Sequence, residues 1–533
     1  MSSFKQISIG GIMRRSIGVI VLLLMTFQAH ASGQSHETPL YGNLGPHERT
    51  IVTSSDRAQD YFNEGLLFMY AFGTSIAEES FGAAREEDPE CAACYWGEAW
   101  ALAPYLNGGM SPGNERKAYA AIEQAKEFSS NASEVEKALI DAFSLRYEAE
   151  PERNRRKMLD TLYAREMKSV AQQFPDDLDV QTLYAEAWML LRPRRGDVDL
   201  NASDVQHILP ILEGVLARNI RHPGACHLYI HLVEASPEPG KAEDCSNYLG
   251  NSIAVSHIHH MPSHIFMNIG RWGDAVTSNQ QAWHADQKAN YGGPPGVYPS
   301  HNLHMLLNAA VMDGQSAVAM QAAQDLARHP GPWAWYVPLT YAVFGRWSEI
   351  LETNADPDGP TNVVGWNFAR GMAHLRTGDL QTASENLAKI DDVIAEADDG
   401  DQFRFHPLKD ILALPRAILA AEIAHADGQS EKAIEILEVA VKIEDGLLYS
   451  EPEAWHIPIR NVLGAIQLDI GQAADAEVTY RAAIEDHPNQ GWGLFGLEQA
   501  LTAQGKATQA QEAKRSFEKY WARADIWLRS SRF

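Results

Sequence analysis

What most constrains this chain is a set of small residues that returns at fixed offsets. In "YFNEGLLFMYAFGTSIAEESFGAAREEDPE", counting Tyr61 as position 4 of a unit puts Gly65, Ala77, Phe81, Ala84 and Pro89 at 8, 20, 24, 27 and 32. Near the other end, Leu463, Gly464, Gly471, Ala476, Ala483 and Pro488 fall at 7, 8, 15, 20, 27 and 32 of the same frame. Gly371, Gly378 and Ala383 fit it too, as do Ala421, Gly428, Ala433 and Ala440. Small residues at 8 and 20 let two helices approach closely, and a glycine near 15 closes the turn between them. Strand-like alternation is almost absent. Units of this kind bury their apolar faces against their neighbours, which gives an all-α solenoid of helical hairpins.

This is the register of a right-handed tetratricopeptide-like (TPR-like) solenoid, in which positions 2, 5, 9 and 12 of each first helix line the concave surface. The register therefore says which side chains share the groove. In "HLYIHLVEASPEPGKAEDC", Ala242 at position 20 puts His227 at 5, His231 at 9 and Glu234 at 12. In "HMPSHIFMNIGRWGDA", Ala275 at 20 puts His260 at 5 and His264 at 9. In "HNLHMLLNAAVMDGQSAVA", Gly314 and Ala319 put His301 at 2, His304 at 5 and Asn308 at 9. Three successive helices thus aim two histidines each at one groove. Eleven of the twenty histidines lie between 207 and 304, so the clustering is local.

Neutral imidazole is the commonest transition-metal ligand, and histidines four apart on a helix chelate from one face. His227, His231, His260, His264, His301 and His304 are the expected ligands, with Glu234 as a further ligand or a general base. Six imidazoles exceed what one tetrahedral ion needs, so the set suits one ion with outer partners, or two. All-imidazole ligation favours copper or zinc, and a carboxylate among histidines admits iron or manganese. The competing interpretation is a polar network with no metal. Around the patch, His222, His259, Asp286, Asn302 and Asn308 are expected as outer partners or substrate contacts. Trp96, Trp100, Tyr184 and Trp188 are expected as groove walls. His257, at a helix start, reads as a cap or an outer group.

Lys5, Arg14 and Arg15 precede an apolar run to Phe27 and then "AHA", the pattern of a cleaved export signal over 1–31. An arm over 32–56 follows, then N-terminal repeats (57–200), histidine-rich central repeats (201–325) and C-terminal repeats (326–533). No later run approaches ~18 apolar residues, so no membrane span is expected after cleavage, and the place is periplasmic or secreted. A formal charge of −26 argues against nucleic acid as a partner. Four cysteines, Cys91, Cys94, Cys226 and Cys245, permit two disulfides in such a compartment, with the pairing open. No HExxH motif and no phosphate-binding glycine loop is present in the sequence.

The stretches "HPGACHLYIHLVEASPEPGKA", "HMPSHIFMNIGRWGDA", "YPSHNLHMLLNAA", "NQGWGLFGLEQAL" and "DPECAACYWGEAWALAP" resemble a family of large exported bacterial tetratricopeptide-repeat proteins. The resemblance spans about residues 40 to 505. It implies His222, His227, His231, Glu234, His260, His264, His301, Asn302 and His304 as the family's polar positions. Two stretches depart from it: "GTS" at 73–75 stands where relatives often have an Asn-His pair, and "APYLN" at 103–107 where they have "GPNIN". The function expected from these readings is a metal-dependent enzyme, oxidative more than hydrolytic, acting on a small organic substrate. A peptide-binding module and a metal storage or delivery protein are the alternatives. An enzyme needs its groove covered, by the 32–56 arm or the 291–300 loop, whereas a peptide groove stays open.

Overall fold

The computed structural model describes residues 38–533, apart from 112, 151–152 and 194–195. The expected export signal lies outside the described residues. From Leu40 onwards the chain forms one continuous stack of antiparallel helix pairs. Asp56–Tyr70 pairs with Thr74–Glu87, Pro360–Arg376 with Leu380–Glu396, Leu408–Ala426 with Ser430–Asp445, and Gly491–Ala503 with Ala507–Tyr520. The all-α solenoid class expected from the repeat register is the class observed. One small exception is a hairpin of two short strands, Gln402–Phe403 and His406–Pro407.

The small residues act as the register requires. The ring of Phe81 is clasped between Gly65 and Gly97, where an added Cβ would stand 2.6 and 2.5 Å from it. Tyr480 is held the same way between Gly464 and Gly496. At position 15 the turn between paired helices needs a left-handed residue, and Gly378 and Gly471 supply it at φ +89° and +82°. Two large apolar cores result, one around Phe62, Phe68, Trp96 and Phe143, the other around Trp335, Phe368 and Trp455, with a small third one around Tyr480.

Three irregularities position the site. Pro262 lacks an N–H, and the central histidine helix is divided there into Ser256–His260 and Pro262–Asn268. The segment before Asp56 is pinned to the stack by Arg49, which donates to Asp177 and Asp179. Cys226–Cys245 ties the first histidine helix, Pro223–Val233, to Glu243–Leu249, and Cys91–Cys94 closes locally. Among the described residues no helix is long and apolar enough to cross a membrane.

Candidate metal centre

Two histidine triads stand side by side, with the rings of His257 and His260 5.3 Å apart. His227, His231 and His257 bring one nitrogen each within 4.8 Å of one another, and so do His260, His264 and His301. Both follow one rule. Each triad takes positions 5 and 9 of one repeat and position 2 of the next. His227 and His231 are followed by His257 of the second repeat; His260 and His264 are followed by His301 of the third. A step of one repeat therefore carries one triad onto the other. The rule also explains His304, expected as a ligand, which belongs to neither triad. It stands at position 5 of the third repeat, but position 9 there is Asn308. Its ring packs instead against Tyr336 and Trp333, with centroids 4.5 and 5.4 Å away.

The imidazoles are oriented by the atoms behind them. His227 donates from Nδ1 to the Tyr70 carbonyl at 2.6 Å, and His231 from Nδ1 to Glu234 at 2.9 Å. His260 donates from Nδ1 to Asn279 Oδ1 at 3.0 Å; the Asn279 amide N–H is committed to the Ala275 carbonyl, which fixes its orientation. His264 donates from Nδ1 to the other oxygen of Glu234. Carboxylates and carbonyls only accept, so all four rings carry a proton on Nδ1, which leaves Nε2 as the nitrogen turned towards the centre. The Nε2 atoms of His260 and His264 face each other at 2.8 Å. At that distance a cation, a proton or a metal ion, has to lie between the two nitrogens.

Burial makes the rings poor bases. Desolvation, together with the neighbouring imidazoles, holds His257, His260 and His301 well below the ordinary histidine value. They are neutral at physiological pH, which is the form that ligates. Burial alone would raise Glu234, but His264 and His231 beside it pull it well below the usual carboxylate range. The buried, ionised carboxylate therefore links one ring of each triad. Neither nitrogen of His257 makes a hydrogen bond, although the residue is 1% exposed.

Phe72 covers the first triad, its ring centroid 4.1 Å from that of His227 and 5.7 Å from those of His231 and His257. It stands at position 15 of the first repeat, the place that Gly270, Gly314, Gly378, Gly428 and Gly471 take in theirs, and adopts φ 56°. A bulky residue in the left-handed region costs about 1–3 kcal/mol and persists where its surroundings hold it. The signal was in the sequence: one repeat lacks its turn glycine and carries an aromatic in its place.

A third cluster, His47, Asp179 and His222, has a different character. Asp179 already receives Tyr70 Oη at 2.5 Å and Arg49 at 3.1 Å, besides His47 at 3.0 Å and His222 Nε2 at 3.2 Å. His222 caps Pro223–Val233, accepting from the Ala225 N–H on Nδ1. This network fixes Tyr70, whose carbonyl in turn orients His227. Gly224 keeps room for the Tyr70 ring, since an added Cβ would lie 2.4 Å from it.

The remaining expected residues divide into supports and core. Asn302 donates to Asp286, whose carboxyl burial raises to about 6, and also to the Val297 carbonyl, bracing the 291–300 loop. His259 hydrogen-bonds the Gly250 carbonyl. Trp96 and Trp100, expected on the groove wall, lie in the N-terminal core against Phe62, Phe143 and Tyr70. Tyr184 and Trp188 pack on His207, with Tyr184 Oη 2.9 Å from its Nε2.

Beside the triads lies a cavity of about 440 Å³, whose described lining includes His231, Glu234, His301, Tyr298, Arg404 and Tyr449. Tyr298, from the 291–300 loop, has its hydroxyl 2.5 Å from that of Tyr105. The hairpin tip at Arg404 and Phe405 also lines this cavity, a contribution that no local sequence pattern announces. Arg404 donates to the carbonyls of Glu451 and Pro452, tying hairpin and following segment together.

No family model matches the chain, and no curated protein matches it. Among solved structures it is similar to yeast Tom70, at 11% identity over 87% of this chain and 90% of that one, with a TM-score of 0.25. It is similar also to a chain of the APC/C hetero-tetramer Cut9–Hcn1, at 11% identity over 87% and 90%, with a TM-score of 0.28. Superpositions this loose carry no functional argument. The solenoid class rests on the helix pairing itself. The chain is a TPR-like helical solenoid with clustered histidines.

Proposed function

We propose that the chain is a metal-dependent oxidoreductase whose two triads each hold a transition-metal ion beside a cavity for a small organic substrate. The observation that carries this reading is the pair of Nε2 atoms of His260 and His264 at 2.8 Å, in rings that both donate from Nδ1 to other partners. A shared proton would satisfy two rings but would give His301 no reason to converge on them. Three imidazoles favour copper or zinc, and an adjacent pair of copper ions would supply redox chemistry towards dioxygen. The chain's own contribution is to hold the rings through Glu234, Tyr70 and Asn279, to exclude water with Phe72, and to wall the cavity with Tyr298 and Arg404.

The competing reading, a module for peptide partners, expects an open groove. Burial of the triads and the hairpin over the adjacent cavity support the enzyme instead, and the cavity counts against simple storage. Export of the mature chain from residue 32 belongs to the same proposal, and two disulfides accord with an oxidising compartment. The test is oxygen consumption by copper-loaded, zinc-loaded and metal-free protein across a panel of phenols, catechols and aliphatic alcohols. Turnover confined to the copper form is expected. Binding of copper without any oxidative turnover would refute the enzyme reading and leave storage.

A further inference from the structure

The two helices that carry His264 and His301 each place a methionine about one turn further along. Met267 follows His264 by three residues and Met305 follows His301 by four, spacings that share a helix face. Met305 is 1% exposed, yet it packs in none of the apolar cores. Met267 occupies position 12 of its repeat, the position that Glu234 fills one repeat earlier. Both methionines line a cavity of about 40 Å³ together with His264 and Asn308. Asn308 is 2% exposed and its Nδ2 makes no hydrogen bond. The space suits a single small ion or water.

The far wall of that cavity is Glu453, Asp486 and His487. The same three residues line an outer cavity of about 460 Å³, with Glu444 and Asp445. The carboxylates of Asp445, Asp486 and Glu453 are about half exposed, so the outer cavity opens to solvent; Asp445 and Asp486 pair there with Arg460, and Glu453 with His487. An unbroken series of lining residues thus runs from exposed carboxylates, past two thioethers, to an imidazole of the second triad.

We propose that Met267 and Met305, with His264, form a transient Cu(I) site, the inner station of a passage by which copper reaches the histidine centre; this rests on the centre being a copper site. Three carboxylates at the mouth outnumber the two cations paired with them, Arg460 and His487, and the excess negative charge draws in cations of any kind. Thioethers are soft and uncharged, so they hold Cu(I) and pass over hard or borderline ions such as Zn(II). Transfer inward is ligand exchange alone, thioether for imidazole, with no change in oxidation state.

The experiment offers Cu(I), held by a coloured chelator without oxygen, to the metal-free full chain and follows loss of the chelate colour. A double variant, Met267→Leu with Met305→Leu, keeps volume and apolarity. Its Cu(I) uptake is expected to slow about tenfold, with unchanged final copper per chain and unchanged Zn(II) uptake. Glu453→Gln with Asp486→Asn is expected to slow both ions alike. Cu(I) uptake at the wild-type rate in the methionine variant overturns the transient site, and unaltered rates in the carboxylate variant overturn the passage. If the double methionine variant fails to fold, Met267→Leu alone, at a half-buried position, carries the same expectation. Wild-type protein that takes up no metal would instead remove the centre itself, a result distinct from full loading at an unaltered rate.

Discussion

Replacing Glu234 by glutamine probes the junction of the two triads. The carboxylate accepts a proton from His231 on one oxygen, at 2.9 Å, and from His264 on the other. Glutamine has the same shape but one acceptor and one donor. Its NH₂ group must face one Nδ1–H, donor against donor, so that ring moves its proton to Nε2 and loses the lone pair it would give to metal. A hydrogen bond to a charged group is worth about 1.5–3 kcal/mol, which converts to roughly 10–100-fold in affinity. Outer partners of metal-bound histidines cost about the same when mutated. Because glutamine satisfies one ring at a time, Glu234→Gln is expected to weaken one metal equivalent by about 10–100-fold and spare the other. Competition with a chelator of known affinity, on protein whose thermal unfolding remains cooperative, measures both equivalents separately. Unchanged affinity at both would refute the orienting role; equal loss at both would mean that the carboxylate bridges the ions.

Other expectations follow from the same geometry. His257→Ala should lose one metal equivalent while His304→Ala keeps both, as read by elemental analysis after dialysis; the reverse result would break the repeat rule. Phe72→Gly should cost less stability in urea than Phe72→Ala by about 1–3 kcal/mol, because glycine accepts φ 56° without strain; equal losses would mean that the position is unstrained. Asp179→Asn leaves Arg49 short of a buried partner, and breaking such a pair costs about 3–5 kcal/mol at neutral pH. Hydrogen bonds from His222 and His47 hold Asp179 well below the ordinary range against the effect of burial. A depressed folded value contributes stability that is present above the unfolded value, about 3.9, and is lost as pH falls through the folded one. Wild-type protein should therefore lose that increment below about pH 4 while Asp179→Asn does not; parallel curves would contradict this.

The fold and most of the histidine clustering were legible because one frame governs both. Small residues at 8 and 20 fix how two helices meet, and the same count then fixes which histidines share the groove. His257 obeys it at position 2, yet its place at a helix start reads equally well as a cap. His304 obeys it too, and fails because a triad needs positions 5 and 9 together. What the register cannot reach is the atoms behind the rings. The Tyr70 carbonyl and Asn279 come from helices whose separation depends on every packed side chain between them. Trp96 and Trp100 have groove register, but Phe143 packs against both and closes the groove there. The hairpin at Arg404 covers the cavity from repeats more than a hundred residues away, and no local pattern announces that.

The most direct test of the central claim is the metal content, by elemental mass spectrometry, of protein recovered from its native compartment without a histidine tag. The account predicts two equivalents of copper per chain, falling to one in His227→Ala and to one in His260→Ala. Folded protein that holds no transition metal, even after reconstitution, would contradict it and return the six imidazoles to a polar network.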